Sequence, residues 1–122
     1  MQPMQPDPSY ASSDGAHPLS ITVGQQDGHL LLVLQGSADL ESKEQLLQSL
    51  RDAIDQSGSV VLDLRDLEFM DSSGLSALVI AANRAQRFGE TITVRHPRNI
   101  VRQMIQMSGV DGVVKVELDG TG

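Results

Sequence analysis

The chain of 122 residues contains no cysteine and no tryptophan, and it has one tyrosine and two phenylalanines. Without cysteine, the protein has no disulfide bonds, no thiolate metal sites and no cysteine nucleophile, and we expect it to reside in the cytoplasm. Because aromatic residues are so few, the core has to be built from Leu, Val, Ile and Met. No apolar run approaches the ~20 residues that cross a bilayer, so we expect no membrane insertion. Residues 1–17 lack the basic and apolar regions of a secretory signal.

Positive charge is also scarce. Nine Lys and Arg residues face sixteen Asp and Glu residues, which gives a formal net charge of −7. Such a balance argues against direct binding to nucleic acid through a basic surface. Six arginines lie between Arg65 and Arg102. They either form a local basic patch or are scattered over the surface, and the sequence leaves both alternatives open.

The composition divides the chain into one domain with short ends. Residues 1–18 are rich in Pro, Gln, Ser, Asp and Gly, and they contain too little apolar area to offset the cost of ordering. We therefore predict a disordered tail over 1–18, either dispensable or with a role of its own. Residues 19–118 form one domain, and 119–122 are the C-terminal end.

The first half of the domain predicts two strands, a helix and a strand. Ile21 and Val23 alternate with polar residues, residues 30–34 are apolar, and Asp27-Gly28 between them is a strong hairpin signal. A helix follows, with a capping-box spacing at Ser42 and Gln45 and an end before Gly58. Its apolar face is formed by Leu46, Leu47, Leu50 and Ile54. The apolar run at 60–64 is typical of a central strand covered on both faces.

The second half predicts two more helix–strand pairs. One helix carries an apolar stripe and ends near Gly89, and the next begins with Pro97 in its first turn and ends at Gly109. The stripes are Leu75, Leu78, Val79 and Ala82 in the first helix, and Ile100, Val101, Met104 and Ile105 in the second. Strands follow at 92–94 and 113–118. The order β-β-α-β-α-β-α-β predicts an α/β fold with a mainly parallel sheet and an antiparallel N-terminal hairpin.

The junction at residues 67–75 combines Asp, two Ser and Gly between a buried strand and an amphipathic helix. The first N–H groups of that helix lack intrahelical partners, and the helix dipole favours negative charge there. Backbone donors at this point would meet a phosphate on a serine, and Asp71 could orient a hydroxyl or accept its proton. Asp and Ser are equally the residues that cap ordinary helices, so a purely structural role stays open.

The string from Phe69 to Leu75, Phe-Met-Asp-Ser-Ser-Gly-Leu, resembles the signature of the anti-sigma factor antagonist family, the STAS domain. Upstream, Gly36-Ser37-Ala38-Asp39 lies where that family carries Gly-Glu-Leu-Asp. Gly36 and Asp39 match this pattern, while Ser37 and Ala38 depart from it. The departure puts in doubt any partner contact made through those two positions. The resemblance covers about 19–118, the whole predicted domain, and implies a STAS-like fold.

The resemblance also implies a function, which is partner switching without catalysis or cofactor. The unphosphorylated protein would bind an anti-sigma factor that is also a serine kinase and so free a sigma factor. Phosphorylation of Ser72 would break that complex, and a serine phosphatase would restore it. Asp39, Asp71, Ser73 and Gly74 would flank the modified serine and contact the partner.

Two alternatives remain at this level. One is a STAS-like accessory subunit of a membrane transporter that is never phosphorylated. The other is an enzyme with Ser72 or Ser73 as nucleophile, but the Gly that a hydrolase elbow requires two residues before the serine is missing. None of the three histidines, His17, His29 and His96, is an evident base. No paired His spacing predicts a metal site. The methionines at 70, 104 and 107 are expected in the core, with a partner surface as the alternative.

Overall fold

The computed structural model describes residues 17–117, in which strands and helices alternate in the predicted order. The strands are β1 (Ser20–Gln26), β2 (His29–Ala38), β3 (Val60–Met70), β4 (Ile92–Arg95) and β5 (Lys115–Glu117). The helices are α1 (Lys43–Ser57), α2 (Ser72–Arg87) and α3 (Asn99–Ser108), and a 3₁₀ helix (Val110–Gly112) precedes β5. Of the predicted tail, only His17 and Pro18 are described. Leu118 and the end at 119–122 lie outside the described residues.

The hairpin between β1 and β2 forms as predicted. Asp27 and Gly28 both have positive φ, 54° and 83°, which is the backbone of a primed turn. β1 then runs antiparallel to β2, and Ile21 pairs with Leu34. The turn residues therefore set the register of the hairpin.

The sheet keeps the strands in chain order, β1-β2-β3-β4-β5, and every pair after the first is parallel. Right-handed crossovers in such an order place all three helices on the same face. Burial agrees, because the paired residues Leu32, Leu62 and Val94 are at most 1% exposed. The next pair in register, Asp63 and Arg95, is only half-buried. The prediction that the apolar run of β3 is covered on both faces holds on the helix side, while on the opposite side Val61 is buried and Asp63 is only half-buried.

The core is aliphatic, as the composition predicts. Leu50 of α1, Leu78 of α2 and Ile105 of α3 pack onto the sheet with at most 1% of their surface exposed. Both phenylalanines are on the surface, with Phe69 41% and Phe88 65% exposed. The three methionines differ in burial: Met70 is in the core, Met104 is partly buried against it, and Met107 is 84% exposed. The core prediction is wrong for Met107 because it lies on the outer side of the last turn of α3.

Several element ends differ from the sequence prediction. β3 does not stop at residue 64 but continues for six residues, to Met70, because β2 extends to Ala38 and pairs with it. α3 begins at Asn99 with Arg98 in extended conformation before it, so Pro97 precedes the helix instead of occupying its first turn. Ser42 precedes α1, but no capping box forms, since its side chain makes no cap hydrogen bond and Gln45 donates to the carbonyl of Leu19.

Candidate functional site

The extended pairing of β2 and β3 brings the two predicted aspartates to one edge of the sheet. Ala38 and Met70 are partners in the parallel register, and each is the last residue of its strand. Asp39 and Asp71 follow them directly, so they occupy adjacent strand-to-helix junctions. The structure thus places Asp39 and Asp71, which the family resemblance assigns to the surroundings of Ser72, at the same end of the sheet.

Asp71 caps α2. Its backbone is extended (φ −106°, ψ −169°), and its Oδ1 accepts hydrogen bonds from the backbone N–H groups of Ser73 at 2.8 Å and Gly74 at 3.2 Å. These are two of the helix donors that have no intrahelical partner. The carboxylate charge also faces the positive end of the helix dipole. The capping role that the sequence left open is thus real, and it is performed by Asp71.

Gly74 lets α2 approach the end of β2 closely. A Cβ atom at this position would lie 2.6 Å from the carbonyl oxygen and 2.9 Å from the Cβ of Ala38. Beside this contact, the backbone N–H of Asp71 donates to the same carbonyl at 3.1 Å. The junction before α2 is therefore fastened to the residue that precedes Asp39.

Asp39 performs a similar task before α1. Its Oδ1 accepts from the N–H of Ser42 at 3.2 Å and from the Ser42 hydroxyl at 3.1 Å, while its own N–H donates to that hydroxyl oxygen at 2.9 Å. The Ser42 hydroxyl also lies 3.0 Å from the Ser37 carbonyl oxygen. Each aspartate thus holds a helix start through Oδ1. Among residues 17–117, the ion pairs involve neither aspartate.

Ser72 and Ser73 differ in exposure rather than in side-chain bonding. Ser72, the first residue of α2, is exposed, and Ser73 is half-buried. Ser73 takes part in the cap through its backbone N–H, which donates to Asp71 Oδ1. The expectation that backbone donors meet a phosphate also needs correction. Asp71 already occupies the N–H groups of Ser73 and Gly74, so only the N–H of Ser72 is left at the first position of the helix.

The two residues that depart from the family pattern are buried. Ser37 is 1% exposed, and its N–H donates to the carbonyl of His17 at 3.0 Å. Ala38 is 0% exposed and faces Gly74. Neither side chain reaches the surface, so in this chain the two positions pack beneath the site.

Sequence reasoning missed two apolar residues that are exposed at this edge. Leu40, directly after Asp39, is 73% exposed, and Phe69, two residues before Asp71, is 41% exposed. Large apolar side chains on a small protein's surface are typical of an interaction site when they cluster. Their position in the sequence could have pointed to them, since each lies within two residues of a predicted site aspartate.

The described residues offer neither a group of metal ligands nor a membrane-spanning helix. Within residues 17–117, no group of three or more His, Asp or Glu side chains is arranged to hold a metal ion. None of the helices in this part of the chain combines the length and apolar content needed to cross a bilayer.

Comparison with known proteins identifies the family. The family model described as Mlab, STAS domain matches residues 21–117. BtrV of Bordetella bronchiseptica, described as an anti-sigma factor antagonist, is 28% identical over 92 residues, which are 75% of this chain and 79% of BtrV. The anti-sigma F factor antagonist of Paenibacillus polymyxa is 27% identical over 100 residues, 80% of this chain and 86% of that protein.

Solved structures share the fold. The anti-sigma factor antagonist SpoIIAA in its unphosphorylated form superposes with a TM-score of 0.68 at 21% identity, covering 80% of this chain and 88% of SpoIIAA. An anti-sigma factor antagonist from Mycobacterium paratuberculosis gives a TM-score of 0.68 at 24% identity, covering 83% and 88%. With a family model that matches nearly all of the described residues, this chain belongs to the STAS domain family, as the resemblance of residues 69–75 predicts.

Proposed function

We propose that this protein is an anti-sigma factor antagonist that works by partner switching at Ser72. In the unphosphorylated form it binds an anti-sigma factor that is also a serine kinase, and a sigma factor is released. Phosphorylation of Ser72 breaks the complex, and a serine phosphatase restores it. The observation that carries the proposal is the position of Ser72, an exposed hydroxyl directly after the aspartate that caps α2.

The surface around Ser72 has the composition of a protein-binding site. The exposed side chains of Leu40 and Phe69 offer apolar anchors at the edge where β2 and β3 end. Asp39 and Asp71 lie at the same edge, half-buried, with Oδ1 engaged in the fold. A partner with an apolar surface and donors for the remaining carboxylate oxygens would match this composition.

A phosphate on Ser72 would act on the partner rather than on the domain itself. It adds about −1.5 to −2 charges near neutral pH, next to the Asp71 carboxylate. The N–H groups of Ser73 and Gly74 are already bonded to Asp71, so the helix start offers the phosphate little compensation. In an interface that covers Leu40 and Phe69, the phosphate would lose its water without gaining an equal partner. Binding falls because of this desolvation and the added negative charge.

Exposure favours Ser72 over Ser73 as the modified residue. A kinase has to align the serine hydroxyl with the γ-phosphate of ATP, which requires an accessible side chain. Ser72 is exposed, whereas Ser73 is half-buried and held by the cap through its backbone. The hydroxyl oxygen takes the phosphoryl group, its proton goes to a base of the kinase, and ADP leaves.

The test is phosphate incorporation into the full chain by the kinase of the source cell, with the site mapped by mass spectrometry. Ser72→Ala should abolish incorporation and still bind the anti-sigma factor in the presence of ATP. Ser73→Ala is the matched control and should be phosphorylated. Ser72→Asp should weaken binding without unfolding the domain, and less than phosphate does because it carries less charge.

Two results would overturn the proposal. Phosphate incorporation that persists in Ser72→Ala and disappears in Ser73→Ala would show that Ser73, and not Ser72, is the modified residue. A native chain that no cognate kinase modifies, and that co-purifies with a transporter ATPase, would instead make it a transporter accessory subunit.

A further inference from the structure

Two of the six arginines between Arg65 and Arg102 share a cleft with Arg51, which lies outside that stretch of the sequence. Arg84 and Arg87, in the last turn of α2, line a cleft between α1 and α2 together with Arg51 of α1. The cleft has a volume of about 290 Å³, and Ile80 and Asn83 complete its lining. Three of the seven arginines of a chain with net charge −7 thus lie on one surface.

Only part of this positive charge is neutralised within the fold. Arg84 makes a bidentate contact with Asp55, with Nη2 3.0 Å from Oδ1 and 3.2 Å from Oδ2. Arg51 and Arg87 are exposed, and the ion pairs among residues 17–117 include neither of them. The cleft therefore carries two arginines without a carboxylate partner in the described part of the chain.

The same surface exposes apolar groups. Ile80, inside the cleft, is 38% exposed, and Phe88, next in sequence to Arg87, is 65% exposed. The Arg84 guanidinium lies over the Phe88 ring, 6.0 Å from its centroid. A surface that combines aliphatic and aromatic area with free guanidinium groups resembles the anchor regions of protein interfaces, where aromatic residues and Arg are enriched.

We propose that this α1–α2 cleft is a docking site for an acidic, amphipathic segment of a partner protein. Carboxylates of the segment would pair with Arg51 and Arg87, and an apolar side chain between them would cover Ile80. Charge complementarity is the reason for this occupant, since the cleft is a positive surface on an otherwise acidic protein. Its volume is at the lower limit of small-molecule pockets, roughly 300–1,000 Å³, which suits single side chains better than a whole ligand.

The cleft is separate from the site proposed for phosphorylation. Ser72 and Arg87 are the first and last residues of α2, fifteen positions apart, which at 1.5 Å per residue is about 22 Å. That distance exceeds the screening length of about 8 Å at physiological ionic strength. Binding in the cleft should therefore not depend on the state of Ser72, and Ser72→Ala should leave it unchanged.

The experiment uses the full chain and a fluorescent peptide with Glu and Leu at helical spacing. Anisotropy measures affinity, and methyl NMR follows Ile80. We expect saturable binding that weakens with added salt and shifts the Ile80 methyl signals, and no binding of the same peptide with Gln in place of Glu. Arg51→Glu and Arg87→Glu should each weaken binding by about tenfold, because each replaces an attraction by a repulsion.

Arg65→Glu is the matched control, because it makes the same change in net charge at an exposed position of β3 outside the cleft. It should alter the affinity by less than about twofold. Thermal melts check that each variant is folded, and Arg51→Gln and Arg87→Gln replace any Glu variant that is not.

Three outcomes would overturn the proposal. The first is no binding of the acidic peptide below about 1 mM, a standard free energy of about −4 kcal/mol. The second is equal loss in Arg65→Glu and Arg51→Glu, which would mean that overall charge alone drives binding. The third is binding of the protein to phosphatidylglycerol vesicles that Arg51→Glu abolishes and that the acidic peptide does not inhibit. This result would make the cleft a lipid-headgroup site.

Discussion

The backbone N–H of Asp71 donates to the carbonyl oxygen of Ala38 at 3.1 Å, and this bond connects the two junctions of the proposed site. Ala38 precedes Asp39, and Asp71 precedes Ser72, so the bond fixes the positions of both aspartates relative to the serine. Gly74 packs against the same carbonyl. The geometry of the site therefore depends on backbone contacts beneath it. Variants that disturb these contacts can be compared with variants that change only its surface side chains.

Gly74→Ala should destabilise the domain by about 1–3 kcal/mol, because the added methyl group would overlap the Ala38 carbonyl oxygen. Urea unfolding measures the effect as a lower midpoint with an unchanged slope. Gly24→Ala is the control, since a Cβ at that strand position has no atom within 4 Å and should change stability far less. Equal stability of Gly74→Ala and the unaltered protein would show that α2 does not approach β2 this closely.

Asp71→Ala should cost about 0.5–2 kcal/mol of stability, because it removes the acceptor for two N–H groups at the start of α2. Asp71→Asn keeps an oxygen in that place and should cost less, so it isolates the effect of charge on phosphorylation and partner binding. Thermal unfolding compares the two variants. If Asp71→Ala were as stable as Asp71→Asn, the cap would not contribute to the fold.

Leu40→Ser and Phe69→Ser should each weaken binding of the anti-sigma factor by about 1 kcal/mol or more, because each removes an exposed apolar anchor of the proposed interface. Both are exposed, so the free energy of unfolding should change by less than about 0.5 kcal/mol. Met107→Ser is the matched control, an exposed apolar residue at the far end of α3. A loss of binding in the Met107 variant as large as in the other two would contradict this assignment of the interface.

Two truncations locate the boundary of the tail. Removal of residues 1–16 should leave thermal stability almost unchanged, as their composition predicts. Removal of residues 1–18 also deletes the His17 carbonyl that accepts from Ser37 and the contact of Pro18 with Gly36, and it should cost about 1 kcal/mol more. Calorimetry on both truncated chains measures the difference. A large loss from the shorter truncation would mean that the tail packs on the domain.

Local patterns determined most of the fold. Alternating residues around Asp27-Gly28 predicted the hairpin, because a primed turn requires the positive φ that this dipeptide accepts. The apolar stripe from Leu75 to Ala82 predicted α2 in the same way, since its spacing matches the helical repeat. The parallel order then places Asp39 and Asp71 at one edge of the sheet, and the string around Ser72 by itself indicates the family.

Tertiary contacts decided the rest, because they join residues that are far apart in sequence. β3 extends to Met70 because β2 is there to pair with it, although the polar pair Arg65-Asp66 interrupts the strand-like alternation. Ser42 bonds to Asp39 and Ser37 instead of capping α1, and Phe69 is exposed because the residue after it, Met70, faces the core. The arginine cleft likewise exists because α1 packs beside α2. This packing brings Arg51 and Arg87, which are 36 residues apart in the chain, into the lining of the same cleft. Spacing along the chain predicts which face of an element a residue occupies, and only packing between elements determines what that face meets.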